Sequence, residues 1–131
     1  MLGAKPTAAA RRAITAPDCE ITVPGVGGID RETLWSVWLP AYKRAFPGLS
    51  HEAIDVVEAG DRVAVRLRIT LPHTGTFATT QGEMGATGRT VVLDSVDVVS
   101  EADGRITGWH SYFDQMSLLG QLGLLSAASG A

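Results

Sequence analysis

Residues 103–123, DGRITGWHSYFDQMSLLGQLG, contain the change from strand to helix that decides the fold of this chain. Asp103-Gly104 is a turn pair that follows a valine-rich run, so it predicts the tight turn of a β-hairpin. From Asp114 the apolar residues recur at helical spacing, and Gly123 stands where a helix commonly ends. The stretch therefore predicts a strand that runs directly into an amphipathic helix.

One face of this predicted strand carries an imidazole, a phenol and a carboxylate. The groups belong to His110, Tyr112 and Asp114, and neighbours in this set lie about 7 Å apart along a strand. That spacing allows all three to contact one small molecule, so this face is the predicted wall of a ligand site. Asp114 also has a purely structural interpretation, because Asp is a common helix N-cap. The opposite face carries Thr107, Trp109, Ser111 and Phe113.

The composition narrows the class of protein. A length of 131 residues with 45% hydrophobic residues is enough for one domain, 1–131, with a real core. The net charge of −3 argues against a nucleic-acid partner, which would need a concentrated basic patch. The single cysteine, Cys19, excludes an internal disulfide and a multi-cysteine metal site, and is interpreted as a small buried residue.

The N-terminal sequence and the lengths of the apolar runs bear on the expected location. No apolar run approaches the roughly 18 residues needed to cross a bilayer. The first residues also lack the apolar stretch of a secretion signal. We therefore expect a cytoplasmic protein without a membrane partner.

The first half of the chain predicts a short arm, a strand and one long helix. Residues 1–17 are expected to form a shortened N-terminal helix, over 7–14, and an arm, and residues 18–24 a strand. Asp30 is expected to cap the best amphipathic helix of the sequence, which Pro40 should kink or break. Trp35, Trp38 and Tyr42 on this helix fit either a core or the wall of a ligand cavity.

The second half reads as strands joined by turns. Three strands are predicted over 51–59, 61–72 and 89–101. In the middle strand Arg66 and Arg68 alternate with apolar residues, which indicates a solvated or subunit-facing side. The long segment 73–89 is interpreted as a functional loop or irregular hairpin. Residues 124–131 are expected to form a flexible tail.

This order of elements describes an α+β fold. Four consecutive strands and a final helix follow the long helix, so we expect one strongly curved antiparallel sheet with helices on its concave side. A sheet wrapped around helices in this way encloses a conical pocket, as in cystatin-like α+β barrels.

Six short motifs, in this order, carry a resemblance to a known family. The chain resembles the SnoaL-like polyketide cyclase and ester cyclase group of the nuclear transport factor 2-like (NTF2-like) superfamily, over residues 18–123. The motifs are AFPGL at 45–49, GDRVAVR at 60–66, HTGTF at 73–77, ATGR at 86–89, DGRI at 103–106, and Asp114 followed by LLGQLG at 118–123.

The resemblance implies an enzyme that needs neither metal nor cofactor. The family's cyclases use a pocket carboxylate to move a proton while the cavity folds a polyketide, and burial helps because it raises the pKa of an acid. Family acids occur at the positions of Ser111 and Asp114, of which this chain keeps Asp114, and His110 replaces the usual Trp. The resemblance also implies a homodimer formed through the sheet.

The segment GWHSYFD is also similar to limonene epoxide hydrolases, whose strand reads Trp-Arg-Asp-Tyr-Phe-Asp. Their catalytic acid falls on Ser111 and their arginine on His110, so the standard epoxide mechanism is not matched. An altered set of His110 with Asp97 or Asp94 could still activate a nucleophile, because a His beside a carboxylate can act as a base.

Three functions remain open from the sequence. They are a cofactor-independent cyclase or isomerase of a small hydrophobic or polycyclic natural product, an epoxide-opening enzyme, and a noncatalytic binding domain. The predicted catalytic residues are Asp114, His110 and Asp97, and no metal ligands are predicted. The predicted substrate-binding residues are Trp35, Trp38, Tyr42, His73, Phe77, Asp94 and Tyr112.

Overall fold

The structure, a computed structural model, describes residues 14–79 and 82–124. Its strands are β1 (Thr15–Val23), β2 (Gly27–Ile29), β3 (Ser50–Ala59), β4 (Arg62–Pro72), β5 (Phe77–Thr79), β6 (Gly82–Met84), β7 (Thr90–Ala102) and β8 (Arg105–Phe113). Its helical segments are α1 (Arg31–Thr33), a π-helical segment (Leu34–Trp38), α2 (Leu39–Ala45) and α3 (Gln115–Gln121). No helix in these ranges is long and apolar enough to cross a membrane.

The main sheet has six strands in the order β2-β1-β8-β7-β4-β3, and β5 pairs with β6 separately. The strands predicted over 51–59, 61–72 and 89–101 are confirmed within one residue at each end as β3, β4 and β7. The α+β class is also confirmed. The prediction of an antiparallel sheet is wrong at one point, because β1 lies parallel to β8 and makes the sheet mixed.

The boundary between the N-terminal arm and the first strand differs from the prediction. β1 begins at Thr15 and contains Pro17, which was assigned to the arm. Pro17 is tolerated because the pairing of β1 with β8 is interrupted between Thr15 and Glu20, where a missing N–H breaks no ladder bond. Residues 7–13 of the predicted helix and the predicted tail after Leu124 lie outside the described residues.

The long helix begins and changes its hydrogen-bonding pattern where the sequence indicates. The Thr33 N–H donates to Asp30 Oδ1 across 2.7 Å, which confirms the predicted cap. The Leu39 N–H donates to the Leu34 carbonyl, five residues back, so a π-helical segment precedes Pro40. Pro40 then lies in the first turn of α2, where its missing N–H costs little.

Segment 73–89 contains the β5–β6 hairpin, in agreement with the predicted irregular hairpin. Its first part packs closely on the end of α2, where the Gly75 N–H donates to the Ala45 carbonyl across 3.0 Å. A side chain at Gly75 would place its Cβ 1.9 Å from the Arg44 carbonyl oxygen, so only glycine fits this contact.

The apolar core forms two clusters on the helix-covered face of the sheet. One is built around Phe46 and Leu118, both fully buried, with residues of β4 and β7. The other is built around Leu34 and Ile21, and Trp109 packs against it. The space between these clusters is the cavity described below.

Candidate active site

A cavity of about 370 Å³ lies between the long helix and the concave face of the sheet. This volume is in the range of small-molecule sites in proteins. The helix contributes Leu34, Trp35, Trp38, Leu39, Tyr42 and Lys43, and the sheet contributes Ile21, Leu67, Ile69, Leu93, Asp97, Trp109, Ser111 and Phe113. Trp35, Trp38 and Tyr42 therefore line a cavity, as one of their two interpretations predicted.

Asp97 is the carboxylate among the described lining residues. It stands on β7 opposite Ser111 of β8, so both side chains point to the concave face. The indole Nε1 of Trp109 donates to Asp97 Oδ2 across 3.2 Å. Asp97 Oδ1 is buried and accepts no hydrogen bond from any described residue. One oxygen of this carboxylate is thus held by Trp109, and the other is buried without a partner among the described residues.

Tyr42 supplies a polar group on the opposite, aromatic wall. Burial raises the pKa of its phenol to about 12, so the hydroxyl stays protonated at neutral pH and can donate a hydrogen bond. Its ring lies 4.4 Å from the ring of Trp38, centroid to centroid. Trp35 Nε1 is a further buried donor without a partner among the described residues. The cavity is therefore apolar and aromatic, with a small number of directed polar groups.

The predicted convergence of His110, Tyr112 and Asp114 on a pocket is wrong. His110 and Tyr112 lie on the outer face of the sheet, and Tyr112 is 58% exposed. The His110 ring bonds instead to a neighbouring strand, since its Nδ1 lies 2.9 Å from Thr22 Oγ1. The physical reason is burial: β8 turns its Trp109 and Phe113 face inward, because covering those rings gains more than covering polar groups.

Asp114 caps α3. Its Oδ1 accepts hydrogen bonds from the backbone N–H groups of Met116, at 2.9 Å, and Ser117, at 3.2 Å. The carboxylate is not among the groups that line the cavity. The geometry therefore supports the interpretation of Asp114 as a helix N-cap.

Asp94 and Phe77, both predicted to bind substrate, also lie outside the cavity lining. Asp94 faces outward and pairs with Arg66 across 3.7 Å, so the prediction of a solvated or subunit-facing side for this arginine is confirmed. The Phe77 ring packs against the core, with its centroid 5.6 Å from that of Tyr42. Phe77 therefore supports the cavity wall from behind.

His73 is fully buried in the core and does not line the cavity. Its Nδ1 accepts a hydrogen bond from the Thr87 N–H across 3.2 Å and lies 2.8 Å from Thr87 Oγ1. Desolvation lowers the pKa of this imidazole, which keeps it neutral. The ring packs on Phe46, and the histidine joins the two ends of segment 73–89.

The lining also contains residues that were not predicted, among them Trp109, Ser111, Lys43 and His51. The sequence itself indicates that Trp109 and Ser111 lie on the inward face of β8. Trp109 and Phe113 alternate with polar residues on β8, and in a half-covered strand the more apolar face is the buried one. The prediction that the His110 and Tyr112 face of β8 forms the site wall is therefore wrong for this strand. Within the described ranges, no cluster of three or more His, Cys, Asp or Glu could hold a metal ion.

The curved sheet, the helix across it and the apolar cavity between them define a protein of the NTF2-like fold. The sequence profile of the SnoaL-like polyketide cyclases matches residues 11–122, and the chain belongs to this family. Among curated proteins, none matches the sequence significantly.

Solved structures share this fold. IdmH of Streptomyces antibioticus, a candidate polyketide cyclase, is 28% identical over 88% of this chain and 86% of its own, with a TM-score of 0.71. A candidate SnoaL-like polyketide cyclase from Jannaschia sp. CCS1 is 19% identical over 87% and 76%, with a TM-score of 0.76. AclR of Streptomyces galilaeus, a candidate hydroxylase, is 22% identical over 90% and 76%, with a TM-score of 0.70. The family supports a polyketide cyclase role, and the three solved structures share the fold.

Proposed function

We propose that this protein is a cofactor-independent cyclase or isomerase that acts on a polyketide or related natural-product intermediate, with Asp97 as its acid/base group. The observation that carries the proposal is the position of the Asp97 carboxylate. It lines an apolar cavity with one oxygen bonded to Trp109 and the other buried without a partner among the described residues. A carboxylate in this state is suited to take a proton from carbon and return it.

The proposed reaction has two proton transfers and one bond formation. The Asp97 carboxylate removes a proton from a carbon next to a carbonyl, and the electron pair of that C–H bond forms an enolate. The enolate carbon attacks a second carbonyl of the same molecule, which forms a C–C bond and leaves an alkoxide. The protonated Asp97 then returns its proton to the alkoxide. In an isomerisation, the proton returns to a different carbon.

Other lining groups assist without exchanging protons. The protonated phenol of Tyr42 can donate a hydrogen bond to oxygen that becomes negative, and such bonds are strong in a site that excludes water. The indoles of Trp35 and Trp38 and the aliphatic floor restrict the conformations of a flexible substrate. Holding two reacting carbons together in this way lowers the entropic part of the barrier.

The proposal is tested with an aryl-substituted β-keto ester that carries a second ketone at cyclising distance. Deuterium uptake from D₂O at the acidic carbon and formation of the ring are followed by NMR. Loss of a general acid/base typically costs roughly 10²–10⁴-fold, so Asp97→Asn should lower both rates by about this factor. Asp94→Asn, on the outer face of the same strand, is the matched control. Unchanged rates in Asp97→Asn would refute the acid/base role.

The other two functions are weaker candidates. Epoxide opening would also use Asp97, but His110, its predicted assistant, lies on the outer face with Thr22. Noncatalytic binding is favoured by one observation, the use of Asp114 as a helix cap. If the wild-type protein bound ligands but catalysed neither deuterium uptake nor ring formation, binding alone would be the better description.

We further propose a homodimer formed by the outer face of the sheet. This face exposes Val57, Val92, Val96 and Tyr112. It also carries charges of both signs, since Arg66 lies beside Asp94 and Arg68 beside Glu52. A face with an apolar part and alternating charges can be complementary to its own copy about a two-fold axis.

A further inference from the structure

The charged groups of the cavity lining stand on two different sides of it. Asp97 lies on β7, whereas Lys43 lies at the end of the long helix, next to the connection that leads to His51 on β3. Between them the described lining is apolar or aromatic apart from hydroxyl groups. The cavity is thus acidic on one side and basic on the other.

Lys43 differs from the adjacent Arg44 in its surroundings. Arg44 points away from the cavity and is paired with Glu83 across 3.2 Å. Lys43 lines the cavity, is exposed, and has no acidic partner among the described residues. Its ammonium group is therefore free to reach an anion held at the cavity entrance.

The pairing of the strands gives the separation of the two sides. His51 pairs with Ile69 and Ile69 with Leu93, so these three form one row across the sheet. Asp97 lies four residues further along β7. The Cα atoms of His51 and Asp97 are therefore roughly 16 Å apart. This distance combines two strand spacings of about 4.8 Å across the sheet with four residues of about 3.3 Å each along the strand. A molecule that reaches from one side to the other must be elongated.

We infer that Lys43 selects substrates that carry a free carboxylate at the end remote from the reacting carbon. This inference rests on the proposed function, because it assumes that the reacting carbon lies at Asp97. The reverse orientation would place two carboxylates together, and like charges in a partly dry site repel. A neutral ester or thioester at the entrance would gain nothing from the ammonium group.

The test uses two rigid fluorescent probes, anthracene-2-carboxylic acid and its methyl ester, whose dissociation constants are measured by fluorescence titration at pH 7.5. An exposed ion pair changes affinity by up to about fivefold. The wild-type protein should bind the acid roughly threefold to fivefold more tightly than the ester. Lys43→Met should remove the preference for the acid and leave ester binding unchanged. Lys43→Arg should keep the preference for the acid.

Arg44→Met is the matched control, because it removes a neighbouring cation that is bonded outside the cavity. Equal binding of acid and ester by the wild-type protein, or a preference that Lys43→Met retains, would overturn the inference. Failure of both probes to bind would overturn it as well.

These titrations, together with the NMR assay of turnover described above, separate this inference from the proposed function. If Asp97→Asn abolishes turnover while Lys43→Met leaves the acid preference intact, only the carboxylate selection fails. If Lys43→Met abolishes the preference while Asp97→Asn stays active, only the acid/base role of Asp97 fails. Asp97→Asn should also keep the acid preference, because the carboxylate is expected at the other end of the cavity.

Discussion

Trp109 on β8 donates a hydrogen bond from its indole Nε1 to Asp97 Oδ2 on β7, across 3.2 Å. The bond joins two adjacent strands on the concave face and directs the other oxygen of the carboxylate away from solvent. Trp109 is therefore a positioning residue for Asp97.

Trp109→Phe keeps an aromatic ring but removes the donor. A hydrogen bond to a charged group contributes about 1.5–3 kcal/mol, so we expect kcat to fall by roughly 10- to 100-fold while KM changes little. Trp35→Phe is the control, since Trp35 Nε1 has no partner among the described residues. Steady-state kinetics of both variants check the prediction. An equal effect of the two substitutions would show that only ring shape matters.

Asp114 should respond to substitution as a helix cap. Asp114→Ala should lower the free energy of unfolding by about 0.5–2 kcal/mol, because two backbone N–H groups of α3 lose their acceptor. Asp114→Asn should be nearly neutral, because Asn caps almost as well. Urea unfolding measures both values, and activity per folded molecule should match the wild type in both. Loss of turnover in Asp114→Asn with intact stability would restore its catalytic assignment.

His73 should make stability depend on pH. The pKa of this imidazole is lowered in the folded state, so the unfolded chain binds more protons once the pH drops below about 6.5. Its stabilising contribution is complete above that pH and is lost as the pH falls towards the folded pKa. His73→Asn, which keeps an acceptor for the Thr87 N–H, should reduce the loss of unfolding free energy between pH 7.5 and 5.5.

The chain offers matched controls for this measurement. Its three histidines are His51, His73 and His110, and the other two lie partly or largely exposed. His51→Asn and His110→Asn make the same substitution at these two positions, and their pH dependence is measured beside that of His73→Asn. A pH dependence that survives in His73→Asn and disappears in either control would contradict the assignment to His73.

Gly75 should tolerate no side chain. A Cβ there would lie 1.9 Å from the Arg44 carbonyl oxygen, and this neighbour is backbone that cannot rotate away. Gly75→Ala should cost about 1–3 kcal/mol, as overpacking commonly does. Gly85→Ala is the control in the same segment, since a Cβ added at Gly85 would enter open space with no contact within 4 Å. Thermal unfolding of the two variants should differ clearly, and equal melting temperatures would be the contrary result.

The proposed dimer should depend on the outer face of the sheet. Val96→Glu places a charge at a position that is 39% exposed in the single chain, so it should dissociate the dimer without unfolding the subunit. Val37→Glu, on the helical side and 62% exposed, should leave the assembly unchanged. Light scattering coupled to size-exclusion chromatography measures the masses. A monomeric wild-type protein would disprove the proposal.

Much of the fold could be predicted because its signals are local. Asp30 before an amphipathic run and the Asp103-Gly104 pair each specify a helix start or a turn within a few residues. The alternation in β4 is equally local, with Ile69 and Leu71 buried and Arg68 exposed between them. The parallel contact of β1 with β8 was missed because it joins distant parts of the chain, and no local pattern encodes it.

The amino-acid sequence by itself determined most of the elements, their order and the family, because apolar spacing and turn residues act over short distances. It also placed Asp94 and Asp97 on opposite faces of one strand, since they are three residues apart. Only the tertiary structure decided which of them lies in the cavity. Both faces of β7 carry valines, so its periodicity does not distinguish them. The inward face is set by which side the long helix and the Trp109 face of β8 cover, and that side holds Asp97.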